Sequence, residues 1–344
     1  SFAVTLNEVR GGATAMVDDA TVTASGGVIL VQALADGTMT AQTDVTAETS
    51  ASGGSLLGGT TTLTINGIAS TNVVLGGAEA KVTDSSLTTT GTDPLDGGVT
   101  VDAQNTANLT AGTINAVDGG SKGVGVTLAF NSIGWESQNL LFNTVDALIG
   151  DPAISDAFGG SGQSVAEAYL IDSTVDAGGL LSVTATAGAD LTAELTNDVA
   201  IEGSSTFTAA EGVSFGATLA SNKVSSSATA LIDFTVEGTD PVTSESVTAY
   251  TGAKTIDADG GVTVKADDTA MIDSTITLNS STATEADSTF GTASAKGFSF
   301  AVTLNEVRGG ATAMVDDATV TASGGVILVQ ALADGTMTAQ TDVT

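Results

Sequence analysis

The chain has 344 residues, no cysteine, no histidine, and 40 acids against 8 bases, a formal net charge of −32. Those numbers exclude a disulfide scaffold, thiol and histidine nucleophiles and most transition-metal sites. They also disfavour nucleic acid and anionic membrane surfaces, both of which need clustered Lys and Arg.

In chain order, the first segment is Ser1–Thr46, which recurs letter for letter as Ser299–Thr344. The chain is therefore read as one full repeat unit, 1–298, followed by the start of the next identical unit, 299–344. It opens on Ser1 without a signal peptide and reads as an excerpt of a longer array. Inside the first segment, Ala20–Ala24 and Val28–Ala33 alternate apolar and polar residues on either side of a Gly26-Gly27 turn. Period-two alternation predicts half-buried strands, and paired glycines predict a tight turn. The same phrase returns at Val99–Ala103, Leu180–Thr186 and Val262–Ala266, each after Gly-Gly. A second phrase begins at Met16, Leu170, Leu231 and Met271, and predicts an inward column of Val17, Ile171, Ile232 and Ile272. The period thus holds about four degenerate sub-units.

Asn131–Gly160 breaks this pattern. Leu141, Val145, Leu148 and Ile149 fall at helical spacing, and Gly150 with Asp151-Pro152 would end the helix. A short helical insert is expected over about 131–160. It gathers Trp135, Leu140, Leu141, Phe142 and Ile149, a candidate interaction surface for a partner or a neighbouring strand.

Hydrophobic residues make up 42% and aromatics 4%. That is too apolar for disorder and too poor in bulky side chains for a wide globular core. Val, Ala, Leu and Thr suit a narrow core built from stacked ladders. A propeller expects aromatic signatures in each blade and a sandwich expects a bulky core. The expected class is therefore all-β, a parallel β-helix (β-solenoid). At ~20–29 residues per coil, one period would make roughly 10–15 coils rising about 50–70 Å.

The phrase pattern, alanine-threonine-alanine followed by an apolar-Asp-x-Ser/Thr-Val run and Gly-Gly, resembles the repeat regions of giant bacterial filamentous adhesins. These are the haemagglutinin-like and leukotoxin-type surface proteins. The resemblance implies a right-handed β-helix, secretion and a cell-surface stalk. It brings no catalytic motif, and the expected chain is not an enzyme.

Candidate chemistry is sparse. Asp257, Asp259, Asp267 and Asp268 form the densest acidic pairs and could offer oxygens to calcium between stacked turns. Aspartate before glycine is equally an ordinary turn former, and the calcium-roll nonapeptide is missing. No paired carboxylates stand out for a glycosidase, and Gly159–Gly162 lacks the ending of a phosphate loop. No apolar run is long enough to span a bilayer. The expected partners are neighbouring repeats and other copies of the filament, with a cell-surface glycan or protein as the alternative. The expected location is extracellular.

Overall fold

The fold is described from a computed structural model, for residues 1–49, 62–91, 97–134, 163–205, 210–235, 238–239, 246–247, 249–286 and 293–344. The expected helical insert, with Trp135, Leu140, Leu141, Phe142 and Ile149, lies outside the described residues. Every element among the described residues is a strand.

The chain winds through five stacked coils. The first holds β1 (Phe2–Arg10), β2 (Ala13–Asp18), β3 (Thr21–Ala24) and β4 (Ile29–Thr49). The second holds β5 (Leu63–Leu75), β6 (Ala78–Thr83), β7 (Ser86–Thr89) and β8 (Val99–Gly119). In the third are β9 (Lys122–Ile133), β10 (Ser164–Ile171), β11 (Thr174–Ala177) and β12 (Leu180–Ser205). The fourth fuses its first two strands into β13 (Ala210–Asp233). It adds a two-residue antiparallel hairpin, β14 (Gly238–Thr239) with β15 (Ser246–Val247), before β16 (Thr255–Ala258) and β17 (Gly261–Ala286). The fifth repeats the first as β18 (Ala293–Arg308), β19 (Ala311–Asp316), β20 (Thr319–Thr321) and β21 (Ile327–Val343).

Each strand pairs in parallel with its counterpart one coil away, so the coils form a single-start solenoid with three walls. The first wall joins β1, β5, β9, β13 and β18, with β2, β6, β10 and β19 continuing it past a corner. The short second wall is β3-β7-β11-β16-β20, and the long third wall is β4-β8-β12-β17-β21. Strands of the third wall reach 26 residues, about 85 Å if fully extended.

The register shows how the sequence repeat is built. Phe2 pairs with Gly67, Gly67 with Val126, Val126 with Ala217, and Ala217 with Phe300. Phe300 is the second copy of Phe2, so four coils return the register to its own copy, 298 residues on. Four coils per period replaces the expected 10–15. The coil is far longer than the short solenoid repeats from which the expectation was borrowed, because its third wall alone spans up to 26 residues. At ~4.8 Å per coil, a period rises about 19 Å rather than 50–70 Å.

The Gly-Gly phrases stack in one corner, since Ile29, Val99, Leu181, Val262 and Ile327 share one register column. Backbones there touch directly: a Cβ on Gly179 would sit 2.7 Å from the Gly97 carbonyl carbon. The inward column at the end of the first wall is Val17, Val82, Leu170, Ile232 and Val315. Val17 and Ile232 fall as expected. Ile171 and Ile272 are buried as well but off this column: Ile171 clusters with Tyr169 and Leu231 on the other side of the strand from Leu170, and Ile272 belongs to the third wall. The Met271 phrase imitates the motif without sharing its place. The true fourth member is Lys81-Val82-Thr83, whose lysine disguises it.

Small side chains fill the interior. Near the short wall, Ala80, Ala168 and Ala230 face Val101, Val183 and Val264 in one cluster. Farther along, Leu109, Leu191 and Ile272 meet Val74, Ile133 and Val224. Only two walls meet there, so the core is about two side chains deep.

Candidate functional site

Nothing in the described structure gathers groups as a catalytic centre does, so the functional geometry is that of surfaces and of the joint between units. The most regular polar feature is internal. Asn7, Asn72, Asn131, Asn222 and Asn305 share one inward column of the first wall. The Nδ2 of each asparagine donates to the Oδ1 of the next, at 2.9 Å from Asn7 to Asn72, 2.9 Å from Asn72 to Asn131, 2.9 Å from Asn131 to Asn222 and 3.3 Å from Asn222 to Asn305. The second Nδ2 hydrogen crosses the core to third-wall carbonyls, reaching Thr110 from Asn72 and Thr192 from Asn131, both at 2.8 Å. Every amide in the ladder points the same way along the rod, and the ladder ties two walls that otherwise meet through apolar contacts. The sequence signal was present two residues past the Leu128-Ala129 and Leu219-Ala220 phrases, but asparagine reads as a turn former when strand register is unknown.

A shorter second ladder runs from Asn66 to Asn115 at 2.7 Å and from Asn115 to Asn197 at 3.2 Å. Gly125 leaves room for it, because a Cβ there would lie 2.6 Å from Asn197 Oδ1.

The joint between units uses the same devices as the coils within one. β18 runs without interruption through residues 298 and 299, where one copy gives way to the next. Asn222 Nδ2 donates to Ser274 Oγ at 2.7 Å, and that hydroxyl donates to Asn305 Oδ1 at 2.8 Å. Lys223 Nζ stands 3.2 Å from Glu306 across the joint, and Lys254 pairs with Asp317. Burial pushes the Glu306 carboxyl up, but hydrogen bonds from Lys223 and Arg308 outweigh it and hold the group below its ordinary value. Asp268 points inward, 3% exposed. It accepts from Ser226 Oγ at 2.7 Å and from the Gly310 backbone N–H at 2.6 Å, so a buried carboxylate of one unit holds the next unit's corner. Burial raises the Asp268 pKa, and those two hydrogen bonds oppose the rise.

The four aspartates considered for calcium are spread over the structure. Asp257 and Asp259 are exposed at the short wall and its turn, Asp267 faces outward from the third wall, and Asp268 faces the core. Asp267 pairs with Lys265 at 2.5 Å. Among the described residues, no group of three or more acids is arranged to hold a metal ion. The aspartates that follow Val17, Ile171, Ile232 and Ile272 in the second phrase also divide. Asp19, Asp84, Asp172 and Asp317 occupy one corner at φ between 45° and 49°, which short polar side chains tolerate. Asp233 pairs with Asp316, and Asp273 belongs to the third wall. Asp84 is raised by burial and by its neighbours Asp172, Asp18 and Asp19.

The third wall presents threonines, acids and the exposed apolar side chains Leu30, Leu34, Ile114 and Met271, and a shallow groove of about 380 Å³ crosses it between Asp36, Asp190 and Asp334. Outside the first wall, Phe2, Ile65, Phe215, Phe298 and Phe300 are all exposed. No helix among the described residues is long and apolar enough to cross a membrane. No family model, no curated protein and no solved structure matches the chain.

Proposed function

We propose that this chain is a non-catalytic structural segment of an extracellular filament or adhesin stalk, in which identical 298-residue units stack into one continuous rod. The observation that carries this reading is the register. Four coils bring the pairing back to the same residues, and the strand that begins the second copy is the strand that ends the first. A unit built this way extends by repetition without a linker and without a new kind of contact. The crossovers are proposed to be right-handed, the sense parallel β-connections take almost without exception.

Extracellular placement rests on composition. Missing cysteine makes the fold independent of the redox state of its surroundings. Attachment to a cell-surface glycan or protein is the alternative role, carried on the outer faces.

Electron microscopy of chains carrying two, four and six units tests the proposal. Stiff rods that lengthen by a constant increment support it, and beads on a flexible string overturn it.

A further inference from the structure

The first and fifth coils share one sequence, and each shows a different side of it in use. Among the described strands, β1, β2, β3 and β4 pair only with the second coil. Their copies β18, β19, β20 and β21 pair only with the fourth. A Cβ on Gly11 would meet nothing within 4 Å, whereas one on its copy Gly309 would press on the Asp268 carboxylate. The face by which the fifth coil holds the fourth is therefore present on the first coil too, turned away from the second. Its groups are Glu8, Gly12 and Asp19, the copies of Glu306, Gly310 and Asp317. Those three meet Lys223, Asp268 and Lys254 of the fourth coil. Among the described residues, the ion pairs that join one coil to another are Lys223–Glu306 and Lys254–Asp317, both at this joint. Glu8 lies against Arg10 as Glu306 lies against Arg308, so the acid stands ready in both copies.

We propose that this joint also forms between chains: the first coil of one copy docks on the fourth coil of a second copy, in the place its fifth coil holds. The inference rests on the reading of the units as one continuous rod and adds that the joint is made in trans. Two arguments select a second copy. The first is fit, because the docking face matches residue for residue one already seated on the fourth coil, with Asn7 taking the place of Asn305 beside Asn222. Its charge is complementary, acids against lysines, in a chain with only 8 bases. The second is energetic. Exchange leaves the number of stacked coil faces unchanged and frees residues 299–344, whose conformational entropy favours it. The incoming coil is already folded on its own second coil. Against exchange stand the displaced coil's own packing and its tether, which acts as an effective concentration of about 1 mM. The contact is heterologous and does not close on itself, so it adds copies head to tail.

The identity of the two coils supplies a test in the 344-residue chain. Glu306→Lys sets two lysines face to face and weakens only the chain's own fifth coil, while Glu8 of another copy stays intact. By sedimentation equilibrium this variant should associate at concentrations lower than the wild-type chain by about tenfold or more, with Arg308 newly open to trypsin. Adding Glu8→Lys should abolish the gain. Gly309→Val acts by bulk instead of charge, should promote the same association, and should be reversed by Gly11→Val. It reads out the joint even if Glu306→Lys fails to fold. Folded variants that stay monomeric up to about 1 mM overturn the proposal, as does association that survives both Glu8→Lys and Gly11→Val. Micrographs of tandem units read the rod separately. Stiff tandem rods together with variants that never join would leave the rod standing and the joint in trans wrong.

Discussion

Asn131 sits in the middle of the asparagine ladder and makes two donations and one acceptance. Replacing it with leucine keeps the volume and leaves Asn222 Oδ1 and the Thr192 carbonyl without this donor. Asn131→Leu is expected to cost about 1–3 kcal/mol in urea unfolding, as for a buried polar group stripped of its partner. Asp268 makes the opposite case. Its folded pKa is raised by burial, so the fold favours the protonated form. That stability is fully present below the unfolded value near 3.9 and is lost as pH rises through the folded value. Asp84 behaves alike, from burial and neighbouring acids. Glu306, held low, contributes in the other sense, with stability present above its unfolded value and lost as pH falls through its folded one. The melting temperature should therefore climb as pH is lowered through the folded values of Asp268 and Asp84, and fall only once Glu306 is protonated. Asp268→Asn keeps an acceptor for Gly310 and turns a donor to Ser226. It should stabilise the chain at pH 7 by about 1 kcal/mol and flatten that climb.

At the scale of the element, Gly27 and Gly325 are the same residue in two copies. A Cβ on Gly27 meets nothing within 4 Å, whereas one on Gly325 would lie 2.1 Å from the Gly260 carbonyl oxygen. The difference is the coil beneath. Gly27→Ala should change stability by less than about 0.5 kcal/mol, and Gly325→Ala should cost about 1–3 kcal/mol, measured side by side by thermal unfolding. Equal effects would mean that the fifth coil does not stack as described. Strands, Gly-Gly corners and the small-residue core were legible in the sequence, because alternation and glycine pairs report local geometry directly. Coil length was not. The third wall reads as several short strands, since Asp36-Gly37 and Ala187-Gly188 look like turns, yet β4 and β12 run straight through them. Only pairing with the strand below tells a glycine in a strand from one in a turn. For the same reason the Met271 phrase misled, and Lys81-Val82 passed unnoticed.

The whole molecule is a shorter and more densely charged rod than its sequence suggested. Residues 299–344 carry five acids and one base, so one unit keeps 28 of the net negative charges, now spread over about 19 Å. Lowering salt from 0.15 to 0.01 M, which stretches the Debye length from about 8 to 30 Å, should lower the melting temperature by several degrees. Magnesium and calcium at equal ionic strength should restore it equally; a preference for calcium would point to a specific site. Four coils per 298 residues is the claim on which all of this rests, and fibre diffraction from aligned rods of tandem units measures it. The account predicts a strong ~4.8 Å meridional spacing with a true axial repeat four times as long, about 19 Å. An axial repeat of 50–70 Å, or no 4.8 Å meridional reflection, would contradict it.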